Sequence, residues 1–125
     1  NQNNKKISIR RARSFFKIQD LLYSCDIGLS TVILKKNLFS KNIKFPNIKT
    51  KEDFILWLKI LEEKIPIIAL DKNLSCWRKL NNSLSSSIMQ KIFDGFKVYN
   101  VYMNYGIFRS ILYLIFLSIN FLRKR

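Results

Sequence analysis

The chain has no histidine, and among its 125 residues only three are glycine, two proline and two cysteine. With no imidazole ligand, and with Cys25 and Cys76 far apart and outside any CxxC spacing, a zinc site is excluded. Each thiol stands beside large apolar or aromatic neighbours and reads as a buried free cysteine of a reducing compartment. Gly28, Gly95 and Gly106 are too few and too scattered to build a Gly-rich loop that cradles phosphate. There is no nucleophile elbow and no internal repeat. The opening "NQNNKK" lacks the apolar stretch of a signal peptide, and with no Met at its head the chain reads as a segment of something longer. Acidic residues are scarce as well, 8 against 23 basic, for a formal charge of +15. Such a balance ordinarily points to a polyanionic partner. Here Lys, Ile and Asn are used heavily in loops and apolar runs alike, the pattern of a low-GC coding bias. The basic residues are scattered apart from "KKISIRRAR" (Lys5 to Arg13) and the terminal "RKR" (Arg123 to Arg125).

What is present suffices for one modest core: 48% of the residues are hydrophobic and 14% aromatic. Residues 1–13 read as a basic linker. "SFFKIQDLLYSC" has the spacing of a short helix, and the β-branched, apolar Ser30 to Leu34 reads as a buried strand. "SKNIKFPNIKT" is a loop. Thr50 then opens the clearest element. Thr50, Lys51, Glu52, Asp53 fits a helix start with Thr50 as N-cap and Asp53 in capping-box position, where the helix dipole lowers the pKa of a carboxylate and keeps it ionised. Phe54, Leu58 and Leu61 recur at helical spacing, Trp57 and Ile60 widen the stripe, and Pro66 stops it. Ile67 to Leu70 and Leu74 to Arg78 read as strands either side of a turn, so strand, helix, strand gives an α/β signature. A polar loop ends in a Ser-rich cap, Ile88, Ile92, Phe96 and Tyr99 give a helical stripe, and a last helix runs from Ile107 to about Leu122. That helix falls short of the roughly 20 apolar residues of a span, so it reads as interfacial or partner-packed.

From Asp26 onward the pieces "STVILKKNLF", "FPN", "KEDFILWLKILEE" and "ALDKNLSCWRKLNNSLSSS" resemble, in that order, the C-terminal half of bacterial family 2 glycosyltransferases, the inverting enzymes of the GT-A fold. The resemblance covers about residues 26–90. It implies an α/β, Rossmann-like catalytic domain of which residues 26–87 are the acceptor-side half, with residues 1–25 leading in and residues 88–125 forming a C-terminal helical extension. It implies that Asp53 is the general base that deprotonates the acceptor hydroxyl, with Glu52 near the acceptor. Trp57 would stack on the sugar, Trp77 and Arg78 would precede the loop over the nucleotide sugar, and Ser83 and Ser85 would belong to that loop. An inverting transfer needs one base opposite the leaving group, and a carboxylate fixed on a helix supplies the rigidity. Two departures stand out. Leu80 occupies a place where the family often has His, and no DxD motif occurs, so the nucleotide half and its Mn or Mg ion are expected upstream, with no metal ligand in this segment.

The partners so implied are a nucleotide sugar and a glycan or lipid-linked acceptor, met at the cytoplasmic face of the membrane in synthesis of a surface polysaccharide or lipopolysaccharide, with residues 107–125 touching the membrane surface. Two other readings compete. A non-enzymatic basic module could bind anionic lipid or nucleic acid through "KKISIRRAR" and the terminal "RKR", although the aromatics fall on apolar stripes rather than among exposed bases, which counts against nucleic-acid stacking. The third is an inactive remnant of a truncated transferase. For Glu52 and Asp53 the local alternative is helix capping, for Trp57 and Trp77 core packing, for Arg78 an ion pair, and for Ser83 and Ser85 a helix cap.

Overall fold

A computed structural model describes residues 9, 11–41, 43–76 and 87–123. Among the described residues four α-helices follow one another: α1, Gln19–Leu22; α2, Glu52–Glu62; α3, Ile88–Lys97; and α4, Ile107–Arg123. Leu29–Thr31 and Lys36–Lys41 form short 3-10 turns, and α3 runs into a π-helical turn, Val98–Tyr102.

The middle of the molecule is α2, because its sequence is apolar on every side. Phe54, Ile55, Leu56, Trp57, Leu58, Ile60 and Leu61 are all buried, a broader face than the single stripe expected. It stops where the sequence says it should. Lys64 takes the left-handed conformation (φ 59°), so that its N–H donates to the Leu61 carbonyl at 3.0 Å and the Ile65 N–H reaches back to Ile60 at 3.1 Å, and Pro66 follows.

Around α2 the remaining elements close one cluster of buried side chains drawn from Phe15 through Leu117. Phe54 meets the edge of the Tyr99 ring at 6.3 Å, and the Tyr99 hydroxyl donates to the Leu22 carbonyl at 2.6 Å, tying the π-helical turn to α1. Burial holds that phenol far above its ordinary pKa, so it remains a donor at any physiological pH. Residues 91 and 95 of α3 meet residues 121 and 114 of α4, so the two helices run antiparallel. Gly95 permits the contact, since a Cβ there would sit 2.7 Å from Leu114 Cδ1.

The strands are where the sequence reading needs correction. Ser30 to Leu34 forms no strand: the Thr31 N–H and hydroxyl both donate to the Gly28 carbonyl, at 3.0 and 2.7 Å, closing a 3-10 turn, and Ile33 is 99% exposed. Among the described residues Ile67 pairs only with Phe15, in an isolated antiparallel bridge with N–H to carbonyl bonds of 2.9 and 2.8 Å. Phe15, read as the start of a helix, is thus the bridge partner, and the helix shrinks to α1. Asp20 there accepts from the N–H groups of Phe16 and Lys17. Leu74 to Cys76 is exposed and outside any strand, and the rest of that segment lies outside the described residues. Among the described residues no sheet forms, so an α/β architecture rests on the resemblance and is carried forward as a proposal. Among the described residues neither cysteine is in a disulfide; Cys25 is half-buried but Cys76 is exposed, against the expectation that both are buried.

Candidate active site

The candidate carboxylates stand on the first turn of α2. Thr50 does not cap this helix as expected. Its N–H and its hydroxyl both donate to Asp94 Oδ2 on α3, at 3.0 and 2.7 Å, while Gln90 Nε2 donates to Asp94 Oδ1 at 2.9 Å. The capping place falls to Lys51, in the left-handed conformation (φ 71°) with no side-chain hydrogen bond to the helix, and with its Nζ 5.9 Å from the Phe54 ring centre. A non-glycine residue held there costs on the order of 1 kcal/mol. The backbone is therefore bent into α2 by a bond from another helix rather than by a local box.

Asp94 is buried. Burial alone would push its carboxyl up, but the donors from Gln90 and from the Thr50 side chain and N–H, with Lys97 nearby, outweigh that and hold it below the ordinary carboxylate value. It is an ionised anchor. Sequence reading missed it, although a lone acid on an otherwise apolar and basic helix was a usable signal.

Asp53 is the opposite case. One of its oxygens, Oδ1, accepts from the neighbouring Phe54 N–H at 2.7 Å. Burial is the largest influence and raises its pKa; the Phe54 N–H and Lys51 pull the other way, and the adjacent Glu52 adds to the rise. The expectation that the helix start would lower this pKa is thus overturned, because the carboxylate is half out of water and has an acid next to it. A carboxylate so placed is a stronger base than a solvated one, and it rides on a helix whose apolar side chains are all buried.

Glu52 is half-buried beside it. Trp57, one turn further, is 1% exposed and packs in the core, with its Nε1 buried and lacking a hydrogen-bond partner among the described residues. It has no free face for a sugar to stack on, so the structure gives it the packing role in place of the stacking one. Trp77, Arg78, Ser83 and Ser85 lie outside the described residues. Ser87, just after them in the sequence, does cap α3, its Oγ accepting from the Gln90 N–H at 3.3 Å. In the basic lead-in, Arg13 is engaged within the chain: it pairs with Asp26 at 3.2 Å and lies 4.8 Å from the Phe15 ring centre.

A divalent cation of the kind the resemblance implies finds no fit here. The whole sequence has no DxD, and among the described residues no three His, Cys, Asp or Glu side chains cluster. No step is assigned to a metal on these residues.

The site so built is a half-buried carboxylate of raised pKa on the first turn of a helix. Compared with curated proteins, the chain is 32% identical over 68 residues to a Bacillus subtilis (strain 168) protein provisionally named as a teichuronic acid biosynthesis glycosyltransferase, TuaG. The match takes in 54% of this chain and 27% of that protein, so the chain spans about a quarter of the relative's length. No family model matches, and no solved structure does.

Proposed function

We propose that this chain is the acceptor-side part of an inverting, family 2 glycosyltransferase of the GT-A fold, with Asp53 as the general base. The observation that carries the reading is the state of Asp53, a half-buried carboxylate with a raised pKa and one oxygen held by a backbone N–H, at the start of a helix whose apolar side chains are locked in the core. The partial identity to a protein named as a glycosyltransferase of teichuronic acid biosynthesis supports the same class of chemistry. In the proposed transfer the acceptor hydroxyl gives its proton to Asp53 as its oxygen attacks the anomeric carbon, and the nucleoside diphosphate leaves from the opposite face. Glu52 raises the basicity of Asp53 by its charge and stands where it can orient the acceptor. Asp94 acts further back, fixing Thr50 and so the direction in which the first turn of α2 points. The nucleotide sugar and its metal are assigned to a part of the enzyme other than these residues. The product fits a surface polysaccharide made on the cytoplasmic side of the membrane.

The test is Asp53→Asn in the full-length protein. It keeps shape and removes the base, and it is expected to lower turnover by roughly a hundred- to ten-thousandfold with donor KM nearly unchanged. Turnover within a fewfold of wild type would leave Asp53 without a catalytic part.

A further inference from the structure

The outer faces of α3 and α4 are apolar where a solvent-facing helix is normally polar. Along α4 the inward positions are Ser110 and Leu117, flanked by Tyr113, Leu114 and Asn120, while Phe108, Ile111, Ile115, Ile119 and Leu122 point outward and are exposed, Phe108 by 88%. On α3 the inward positions are Asp94 and Gly95; of the helical stripe Tyr99 is buried and Phe96 half-buried, while Ile88 and Ile92 are exposed, with Met89 and Phe93 beside them. Both helices are held to the body from behind, α4 through Asn120, whose Nδ2 donates to the Tyr23 carbonyl at 2.9 Å. The apolar surface is therefore presented on a fixed frame.

The charge of this region has one sign. From Ser87 to Arg123 the one acid is Asp94, buried and turned toward Thr50, whereas Lys91, Lys97, Arg109 and Arg123 are all basic. Arg109 lies along the edge of the face, 5.0 Å from the Tyr105 ring centre and 5.7 Å from that of Tyr113. No helix among the described residues is long and apolar enough to cross a membrane. The exposed stripe runs the whole length of α4 rather than gathering at one end, so it can be covered by a lipid surface only with the helix axis in the plane of that surface.

We propose that the outer face of α3 and α4 docks on an anionic lipid bilayer, its Ile, Leu and Phe side chains entering the headgroup boundary and its basic residues meeting the lipid phosphates. Charge complementarity selects this occupant: the charges that α3 and α4 carry outside the core are all basic and match an anionic surface, whereas a second copy would bring like charges together. The inference does not rest on the transferase reading, since binding needs none of the residues of α2.

Flotation of the full-length protein with vesicles of phosphatidylcholine alone and of phosphatidylcholine with phosphatidylglycerol decides it. The wild type is expected to float with the anionic vesicles and to partition at least tenfold less onto the neutral ones. Phe108→Ser with Ile115→Ser is expected to lower anionic binding tenfold or more, and Arg123→Glu about fivefold or more, each basic side chain near such a surface being worth about that factor. All three positions are exposed, so thermal unfolding without vesicles should hardly change. Equal flotation of wild type and variants overturns the proposal. So does a wild type that stays off anionic vesicles, whether the Ser variant then unfolds earlier, as packing against another part of the chain requires, or changes from dimer to monomer by light scattering, as contact with a second copy requires.

Discussion

Replacing Asp94 by Ala should damage the molecule more than any other single change to an acidic residue. The mutation removes the acceptor of three hydrogen bonds, from the Thr50 N–H, the Thr50 hydroxyl and Gln90 Nε2. Bonds to a charged acceptor contribute about 1.5 to 3 kcal/mol each, but the Thr50 hydroxyl and the Gln90 amide can partly rehydrate, so the three do not add. The Thr50 N–H has no such easy replacement, and leaving it unmade costs about 1 to 3 kcal/mol. A net loss of about 3 kcal/mol is expected, with Asp94→Asn, which keeps one acceptor oxygen and the shape, losing about 1 kcal/mol. Urea unfolding of the full-length protein at neutral pH measures both. The pH dependence supplies a second reading. Because the folded-state pKa of Asp94 is lowered, its stabilisation is present above the ordinary value of 3.8 and is lost as pH falls through the folded value. The gap between wild type and Asp94→Ala should therefore narrow in acid below that point. A loss under about 0.5 kcal/mol for the Ala variant, or a gap that does not change with pH, would refute the idea that Asp94 anchors α2 as an anion.

Asp53→Asn should behave in the reverse sense for stability. The folded-state pKa is raised, so the contribution of the group is fully present below 3.8 and is lost as pH rises through the folded value; at neutral pH the Asn variant should unfold no earlier than wild type, and later if burial of the charge dominates, by differential scanning calorimetry. Trp57→Phe should leave acceptor KM and turnover within about twofold, because the indole is core and its N–H lacks a partner among the described residues; a tenfold rise in acceptor KM would restore the stacking role. Residues 1–125 by themselves should bind no uridine or guanosine diphosphate sugar in calorimetric titration, with or without manganese, since they have no DxD; heat from any one of these ligands would put a donor site inside the segment.

The elements legible in the sequence were those set by neighbours along the chain. The end of α2 follows from Pro66, the start of α3 from Ser87, and the course of α4 from an apolar run that begins after Gly106 and ends at a basic cluster. Local reading failed where distant partners decide. Thr50 had the residue type and spacing of an N-cap, yet Asp94, 44 residues away, offers its hydroxyl and N–H a charged acceptor, and that bond wins. Ser30 to Leu34 had strand composition without a paired neighbour among the described residues, so the turn closed by Thr31 prevails and Ile33 is left in water. The stripe of Ile88 and Ile92 had helical period, but period fixes a face and not the side on which the core lies.

Asp53 and Asp94 show why the candidate site was only half legible. Both are aspartates beside helix backbone, and composition or spacing treats them alike. Their surroundings separate them: three donors converge on Asp94 and hold it ionised, whereas Asp53 has only backbone N–H donors from Phe54 and itself, an acid next to it and half its solvent removed. Stability alone would favour neutralising Asp53, since its charge is held at a cost, and would forbid neutralising Asp94. A group that the fold penalises is the more telling candidate for chemistry, because packing offers no reason to place it there. The structure thus assigns the two acids to different tasks, Asp94 to hold the entrance of α2 and Asp53, on the proposed reading, to use it.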